Sequence, residues 1–132
     1  MAQLIKSEFE IGQLIADRKR IIAEMQEEAR RLSGALKRLG AKEVYLFGST
    51  AREDLTLEVY PDGTIVNDSD LDIAAILETE LPEFERAPFL LSRLYASNYK
   101  FEYPMDLIVY TPREFSEGGT FIEEIARRGI PL

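Results

Sequence analysis

An apolar stretch that ends abruptly at a glycine constrains this chain more than any other feature. Residues 44–47 have the composition of a buried strand, and Gly48 follows them directly. A glycine there lets the backbone approach a ligand closely, and Ser49-Thr50 are residues that begin helical turns. Free amides at a helix start, with a hydroxyl and the guanidinium of Arg52 beside them, form a seat for phosphate groups. The segment Gly48–Arg52 is therefore a candidate phosphate site.

Two carboxylates open a second apolar run. Asp70 and Asp72 flank Leu71, and the run continues to Leu77. Alternate residues of a strand face the same side, so both carboxylates point the same way. Like charges this close repel unless a cation lies between them. The simpler interpretation is a β-turn followed by an acidic strand edge. A calcium loop of the EF-hand type is disfavoured, because Ile73 stands where that loop needs glycine.

A third carboxylate enters a third apolar run. Asp106 is the only charged residue of 103–110, and burying it without a partner would cost several kcal/mol. Gly48 ends the first strand whereas Asp70 begins the second, so these strands must be antiparallel if the two residues meet. Asp106 lies near the start of the third strand, which must then run parallel to the second and needs a crossover connection. The phosphate seat and the three carboxylates together predict a magnesium–nucleotide site.

The segments between these strands have the lengths that this arrangement needs. Residues 78–100 can form the crossover helix, with Pro88 near its start. Residues 54–68 predict an inserted β-hairpin, because apolar and polar residues alternate before a turn at residues 60–63 and the chain then returns as a second short strand. This insertion lengthens the spacer between the phosphate seat and the second strand without moving the two ends of the site.

The composition excludes several kinds of chemistry. The chain has 132 residues, 45% hydrophobic and 30% charged, which are the proportions of a single globular domain over residues 1–132. It has no histidine and no cysteine, which excludes the usual zinc sites, disulfides and histidine-activated nucleophiles. No stretch is long enough to span a membrane and no signal pattern opens the chain, so we expect a cytoplasmic protein. The net charge is +3 for residues 1–42 and −11 for residues 43–132. This acidic catalytic half argues against nucleic acid as a partner.

The first third of the chain predicts a long helix. Apolar residues recur every three or four positions from Ile21 to Leu39, which is typical of a helix that covers a core and ends near Gly40. Residues 1–20 form a helical extension that is also rich in apolar side chains, and we assign its basic cluster, residues 18–20, to a solvated face. The extension either folds back onto the hairpin or docks against another chain, which would be a second copy in a homodimer or a helical partner protein.

Taken in order, these motifs resemble the nucleotidyltransferase domain of the DNA polymerase beta superfamily, and in particular its minimal single-domain bacterial and archaeal members. The resemblance extends from about Lys37 to Leu132, through Phe-Gly-Ser-x-Ala-Arg, Ser69-Asp70-x-Asp72 and the strand of Asp106. It implies an α/β (α+β) nucleotidyltransferase fold, in which a small mixed sheet packs with helices. The long N-terminal helix and the hairpin are additions. Two features depart from the family pattern: the spacer is long, and Glu53 stands where glycine usually follows the arginine.

The resemblance also implies an activity. A nucleoside monophosphate, AMP in the first instance, would pass from a nucleoside triphosphate to an acceptor hydroxyl, and pyrophosphate would be released. Gly48 and Ser49 would hold the β and γ phosphates, and Arg52 would offset their charge. Three catalytic carboxylates would hold two Mg²⁺ ions, or Mn²⁺: Asp70, Asp72 and, on the acceptor side, Asp106.

Several functions remain open at this point. Among the minimal members that this chain resembles are antitoxins that adenylylate a separate helical toxin, and others look like the catalytic half of antibiotic-modifying transferases. A second interpretation is a catalytically silent binding module of the same fold that neutralises a partner through its surface. A third is a purely structural acidic domain, which would leave Asp106 unexplained. Glu53 either weakens triphosphate binding or faces solvent.

Overall fold

Five helices and six strands make up the part of the chain that the structure, a computed structural model, describes: residues 8–67 and 69–132, with side chains from residue 12 onward. The helices are α1 (Glu8–Arg38), α2 (Gly48–Arg52), α3 (Glu83–Ala96), α4 (Pro112–Glu117) and α5 (Thr120–Arg128). The strands are β1 (Glu43–Phe47), β2 (Leu57–Val59), β3 (Ile65–Asn67), β4 (Leu71–Ile76), β5 (Met105–Tyr110) and β6 (Ile130–Pro131).

Four of the strands form one mixed sheet in the order β5-β4-β1-β6. β1 runs antiparallel to both β4 and β6, whereas β4 runs parallel to β5 and is connected to it through α3. β2 and β3 form a separate antiparallel hairpin between α2 and β4. The predicted mixed sheet, long N-terminal helix, inserted hairpin and strand directions are all confirmed.

Two long helices bury one face of the sheet. Met25, Leu32 and Leu36 of α1 are almost completely buried, and so are Leu90 and Leu94 of α3. They share one hydrophobic core with alternate residues of the central strands, among them Val44, Leu46, Ile73 and Ala75. Burial of an aliphatic side chain is worth roughly 1.5–3 kcal/mol, so this core fixes which side of β1 and β4 faces inward.

Aromatic contacts attach α4 and α5 to the opposite face. Tyr45 stacks on Phe115 of α4 with ring centroids 5.3 Å apart, and Phe47 meets Phe121 of α5 edge-on at 5.6 Å. Both β1 residues alternate with the buried ones, so their side chains leave the sheet on the other side. The two faces are thus distinct: one is an aliphatic core, and the other carries aromatic and polar side chains.

A capping box and a buried arginine hold α4 in place. The hydroxyl of Thr111 accepts a hydrogen bond from the amide of Glu114 at 3.2 Å, and the Glu114 carboxylate accepts one from the amide of Thr111 at 2.8 Å. Arg86 of α3 donates to the same carboxylate at 2.6 Å and to the carbonyl of Val109 at 3.3 Å. The hydrogen bond from Arg86 lowers the pKa of Glu114 below its usual range. These bonds connect α3, β5 and α4.

Two features differ from the sequence-based expectation. α3 begins at Glu83, so Pro88 lies inside the helix and not at its start. The earlier start follows from Pro82, which precedes the first turn, and from the acidic residues Glu83 and Glu85, which complement the helix dipole. β6 was not predicted, because a strand of two residues has no periodic pattern, yet it pairs with β1 beside the site.

The N-terminal extension is helical as far as the structure describes it. α1 runs without interruption from Glu8, and Ile15 is 51% exposed. We expected Arg18 on a solvated face, but its guanidinium donates to the carbonyls of Leu55 and Glu53, at 2.9 Å in each case. Arg18 is therefore only partly solvated, because the segment after α2 brings two carbonyls within its reach, whereas Lys19 and Arg20 are exposed. Docking of the extension against another chain stays a prediction, and residues 1–7 lie outside the described residues. None of the described helices combines the length and hydropathy that crossing a bilayer requires.

Candidate active site

The strand register places the predicted carboxylates in one row. Phe47 pairs with Asp72 between β1 and β4, and Asp72 pairs with Asp106 between β4 and β5. Paired residues of neighbouring strands share a face of the sheet, so Asp72 and Asp106 project on the same side. Asp70 lies two residues before Asp72, and its negative charge acts on the Asp72 carboxylate. The structure thus brings all three carboxylates to one edge of the sheet, next to Gly48.

Gly48 lies directly against the Asp72 side chain. Its φ of +75° is in the left-handed region, which residues with a Cβ rarely adopt. A Cβ added there would lie 2.9 Å from Cγ of Asp72 and closer still to Oδ2. Glycine is therefore required at this position for two separate reasons, the backbone conformation and the contact with the carboxylate. The start of α2 therefore lies in contact with Asp72 of the carboxylate row.

Asp72 bears most of the electrostatic cost of the row. Burial, and then the charges of Asp106 and Asp70, raise the pKa of Asp72, whereas the charge of Arg52 acts in the opposite direction. Asp70 and Asp106 are themselves exposed. The expected burial penalty at Asp106 is therefore wrong, because water solvates that carboxylate, and the partly buried member of the set is Asp72.

The donor chemistry of this row fits a hard divalent cation. Carboxylate oxygens are the ligands that Mg²⁺ and Mn²⁺ prefer, and the like charges around Asp72 are what a cation would neutralise. Within residues 8–67 and 69–132, no three acidic side chains already converge on a single point. The register holds the backbones of Asp72 and Asp106 side by side, and the carboxylates of Asp70 and Asp106 are exposed to solvent. Asp70, Asp72 and Asp106 are the residues that could hold a metal.

Arg52 and Glu53 form the C-terminal end of α2. Glu53 is the C-cap residue and adopts φ 60°, ψ 32°, a left-handed conformation in which glycine costs least. Its carboxylate accepts a hydrogen bond from Gln26 of α1 at 3.4 Å, so it lies toward α1. Arg52 donates to Asp54 at 2.9 Å and is about half exposed. The Asp54 hydrogen bond, with smaller contributions from Glu124 and Asp72, raises the pKa of Arg52.

Two residues of helix α1 donate hydrogen bonds to the backbone of α2 and of the segment that follows it. Gln26 donates to the carbonyl of Thr50 at 3.2 Å, and Arg18 binds the carbonyls of Glu53 and Leu55. Thr50 itself is completely buried, which anchors the middle of α2. These contacts span 24 to 37 residues of sequence, so no local pattern could have indicated them.

A cleft of about 220 Å³ opens beside the phosphate seat, between α2 and α5. Its walls include Phe47, Gly48, Ala51, Arg52, Phe121, Glu124, Ile125, Arg128 and Gly129. Sequence reasoning did not select Glu124 or Arg128, because on a helix their spacing is that of an ordinary solvated surface. The one available signal was a pair of arginines in the last turn of α5, which also suits the helix dipole.

Comparison with known proteins gives one match. No family model matches this sequence, and neither does any curated protein. Among solved structures, the chain is similar to a candidate nucleotidyltransferase from Sulfolobus solfataricus. The two chains are 22% identical, the match covers 98% of this chain and 90% of the other, and the TM-score is 0.42.

The contact between Gly48 and Asp72 makes a prediction about stability. Gly48→Ala should destabilise the fold by more than Gly63→Ala, which also stands at positive φ but has no atom within 4 Å of an added Cβ. Gly63→Ala should cost roughly 1–2 kcal/mol for its backbone conformation alone. Gly48→Ala should add the cost of displacing the carboxylate. Urea denaturation of both variants measures the difference, and equal losses would show that Asp72 does not press on Gly48.

The raised pKa of Asp72 predicts that Asp72→Asn stabilises the ligand-free protein at neutral pH. The folded state disfavours the charged carboxylate, so the wild-type chain bears a penalty at every pH above the folded pKa. That penalty shrinks as the pH falls through the raised folded-state pKa and is absent well below 3.8, the ordinary pKa of aspartate, because Asp72 is then protonated in both the folded and the unfolded state. The free energy of unfolding of Asp72→Asn should exceed that of the wild-type chain by the largest amount near neutral pH, and this difference should vanish on acidification. A variant that is less stable than wild type at neutral pH would contradict this.

Proposed function

We propose that this protein is a metal-dependent nucleotidyltransferase, which transfers a nucleoside monophosphate from a nucleoside triphosphate to an acceptor hydroxyl. The observation that carries this proposal is the contact between Gly48 and Asp72, with Asp106 next to Asp72 in the sheet. A phosphate seat that touches a row of carboxylates requires a positive charge between them once an anionic ligand binds.

Each residue has a role that its position allows. The backbone at Gly48 and the hydroxyl of Ser49 bind the β and γ phosphates, and Arg52 offsets their charge at the end of the same short helix. In the reaction, a bond forms between the acceptor oxygen and the α-phosphorus, and the bond from the α-phosphorus to the bridging oxygen of the β-phosphate breaks. The acceptor proton passes to the Asp106 carboxylate, and pyrophosphate leaves.

Asp70, Asp72 and Asp106 would hold two Mg²⁺ ions, for which Mn²⁺ can substitute. When bound, these ions supply positive charge at the phosphates and lower the pKa of the acceptor hydroxyl. The protein contributes the register that keeps the carboxylates adjacent, and it contributes a partly buried Asp72 whose own charge is disfavoured without a cation.

The acceptor we propose is a hydroxyl of a separate protein, and the donor to test first is ATP, as the family resemblance implies. Asp70 and Asp106 are exposed at the sheet edge, so a large acceptor can reach them. A partner that docks on this open edge would present its hydroxyl by proximity, without a deep pocket. An antitoxin that adenylylates a helical toxin is one protein of this kind.

Substitution of the carboxylates should separate binding from transfer. Asp106→Asn should leave the affinity for Mg²⁺-ATP within a few-fold of wild type while it abolishes AMP transfer, because it alters only the acceptor side. Asp72→Asn and Asp70→Asn should lose both. Binding is measured as thermal stabilisation, which should reach about 2.7 kcal/mol at a nucleotide concentration one hundred times the Kd. Transfer is measured with labelled ATP and candidate acceptor proteins.

The controls distinguish the competing interpretations. Asp62→Asn removes the same charge from the turn of the β2–β3 hairpin, where Asp62 accepts a hydrogen bond from the amide of Thr64, and should alter neither readout. Transfer by Asp106→Asn within tenfold of wild type, roughly 1.4 kcal/mol of barrier, would remove its assigned role. Binding of Mg²⁺-ATP without transfer to any acceptor would favour the silent binding module. No stabilisation by millimolar Mg²⁺-ATP would contradict the nucleotide site itself.

A further inference from the structure

The cleft between α2 and α5 adjoins the carboxylate row at Gly48. This residue lies against the Asp72 side chain and also lines the cleft. In the sheet order β5-β4-β1-β6, β1 lies next to the strand of Asp72, and α5 packs on β1. The wall of the cleft that contains Gly48 is therefore the one next to Asp72.

The charged groups of the cleft are not equivalent. Arg52 is already paired with Asp54 at 2.9 Å. Arg128 forms no ion pair with any residue of 8–67 or 69–132, although Glu124 stands one turn before it on the same helix. Residues 43–132 carry a net charge of −11, so a guanidinium without a carboxylate partner in this half of the chain is available for an anion.

We propose that Arg128 binds the terminal phosphate of the nucleoside triphosphate in this cleft, and that it thereby distinguishes a triphosphate from a diphosphate. This inference rests on the proposed function, because it takes the α-phosphorus to lie at the carboxylates. A chain of three phosphates that passes Gly48 then directs its last phosphate toward α5. A guanidinium can bind two phosphate oxygens at once, which makes arginine well suited to this end of the ligand.

Glu124 lines the same cleft, and its negative charge disfavours the binding of an anion there. Removal of the Glu124 charge should therefore make the cleft more favourable for an anion. The direction in which three substitutions should change the affinity for the triphosphate follows from these charges. Arg128→Gln should weaken triphosphate binding, and Glu124→Gln should tighten it. Arg127→Gln should leave it unchanged, because Arg127 is exposed on α5 and does not line the cleft. Arg127→Gln and Arg128→Gln change the net charge equally, so a difference in affinity between them cannot come from the net charge of the protein.

The experiment is titration calorimetry of the full chain and the three variants with Mg²⁺-ATP, Mg²⁺-ADP and inorganic tripolyphosphate. Arg128→Gln should raise the Kd for Mg²⁺-ATP by roughly ten- to a hundredfold, the effect of losing a hydrogen bond to a charged group. The Kd for Mg²⁺-ADP should change less than threefold. Arg128→Lys should restore part of the lost affinity, and thermal denaturation checks that every variant folds.

Each contrary result has a distinct meaning. Equal weakening by Arg127→Gln and Arg128→Gln would show a general charge effect and overturn the proposal. Equal weakening of ATP and ADP by Arg128→Gln would show that Arg128 does not bind the terminal phosphate, and would overturn it too. If Mg²⁺-ATP does not bind to the wild-type chain at all, the proposed function fails. Tripolyphosphate then tests the cleft separately. If the Arg128→Gln variant binds tripolyphosphate more weakly than the wild-type chain, the cleft is a polyphosphate site. If the two chains bind it equally, or if neither binds it, the proposal for Arg128 is overturned.

Discussion

The contact between the Gly48 backbone and the Asp72 carboxylate is the interaction on which the account of this protein depends. It exists only because β1 and β4 pair with Phe47 opposite Asp72. That register is fixed by burial, since Val44 and Leu46 on β1 and Ile73 and Ala75 on β4 enter the same aliphatic core. A slip by one residue would turn the Asp72 carboxylate into that core, and burial of an unpaired charge is far too costly. The hydrophobic core therefore sets the geometry of the polar site.

The long first helix has a second task besides covering the core. Its buried stripe packs on the sheet, while Arg18 and Gln26 hold the backbone from Thr50 to Leu55 by hydrogen bonds. These bonds steady the C-terminal end of α2, where Glu53 adopts a left-handed conformation that costs a residue with a Cβ about 1–2 kcal/mol. Gln26 and Arg18 thus hold the backbone on both sides of Glu53. The hairpin that follows leaves both ends of the site in place.

The fold and the carboxylate row could be predicted from sequence because both follow from local patterns. Apolar periodicity gave α1 and the strands, and the positions of Gly48, Asp70 and Asp106 at strand ends were enough to derive which strands are antiparallel and which are parallel. What could not be predicted depends on contacts between distant residues or on burial. The exposure of Asp106, the role of Arg18 as a brace, and the position of Arg128 beside Gly48 are set by packing between elements. β6 is too short to carry a pattern, and Pro88 lies inside its helix because acidic residues begin α3 earlier.

The central claim is that the phosphate seat and the three carboxylates form a single metal site at one edge of the sheet. Titration of isotopically labelled protein with substoichiometric Mn²⁺-ATP tests it directly, because the paramagnetic ion broadens amide resonances in a way that depends on distance. The account predicts that broadening begins at residues 48–49, 70–72 and 105–107 together, and that Asp72→Asn abolishes it at all three segments. Broadening centred on another acidic stretch, such as Glu78–Glu85, or spread evenly over the acidic surface, would contradict the claim.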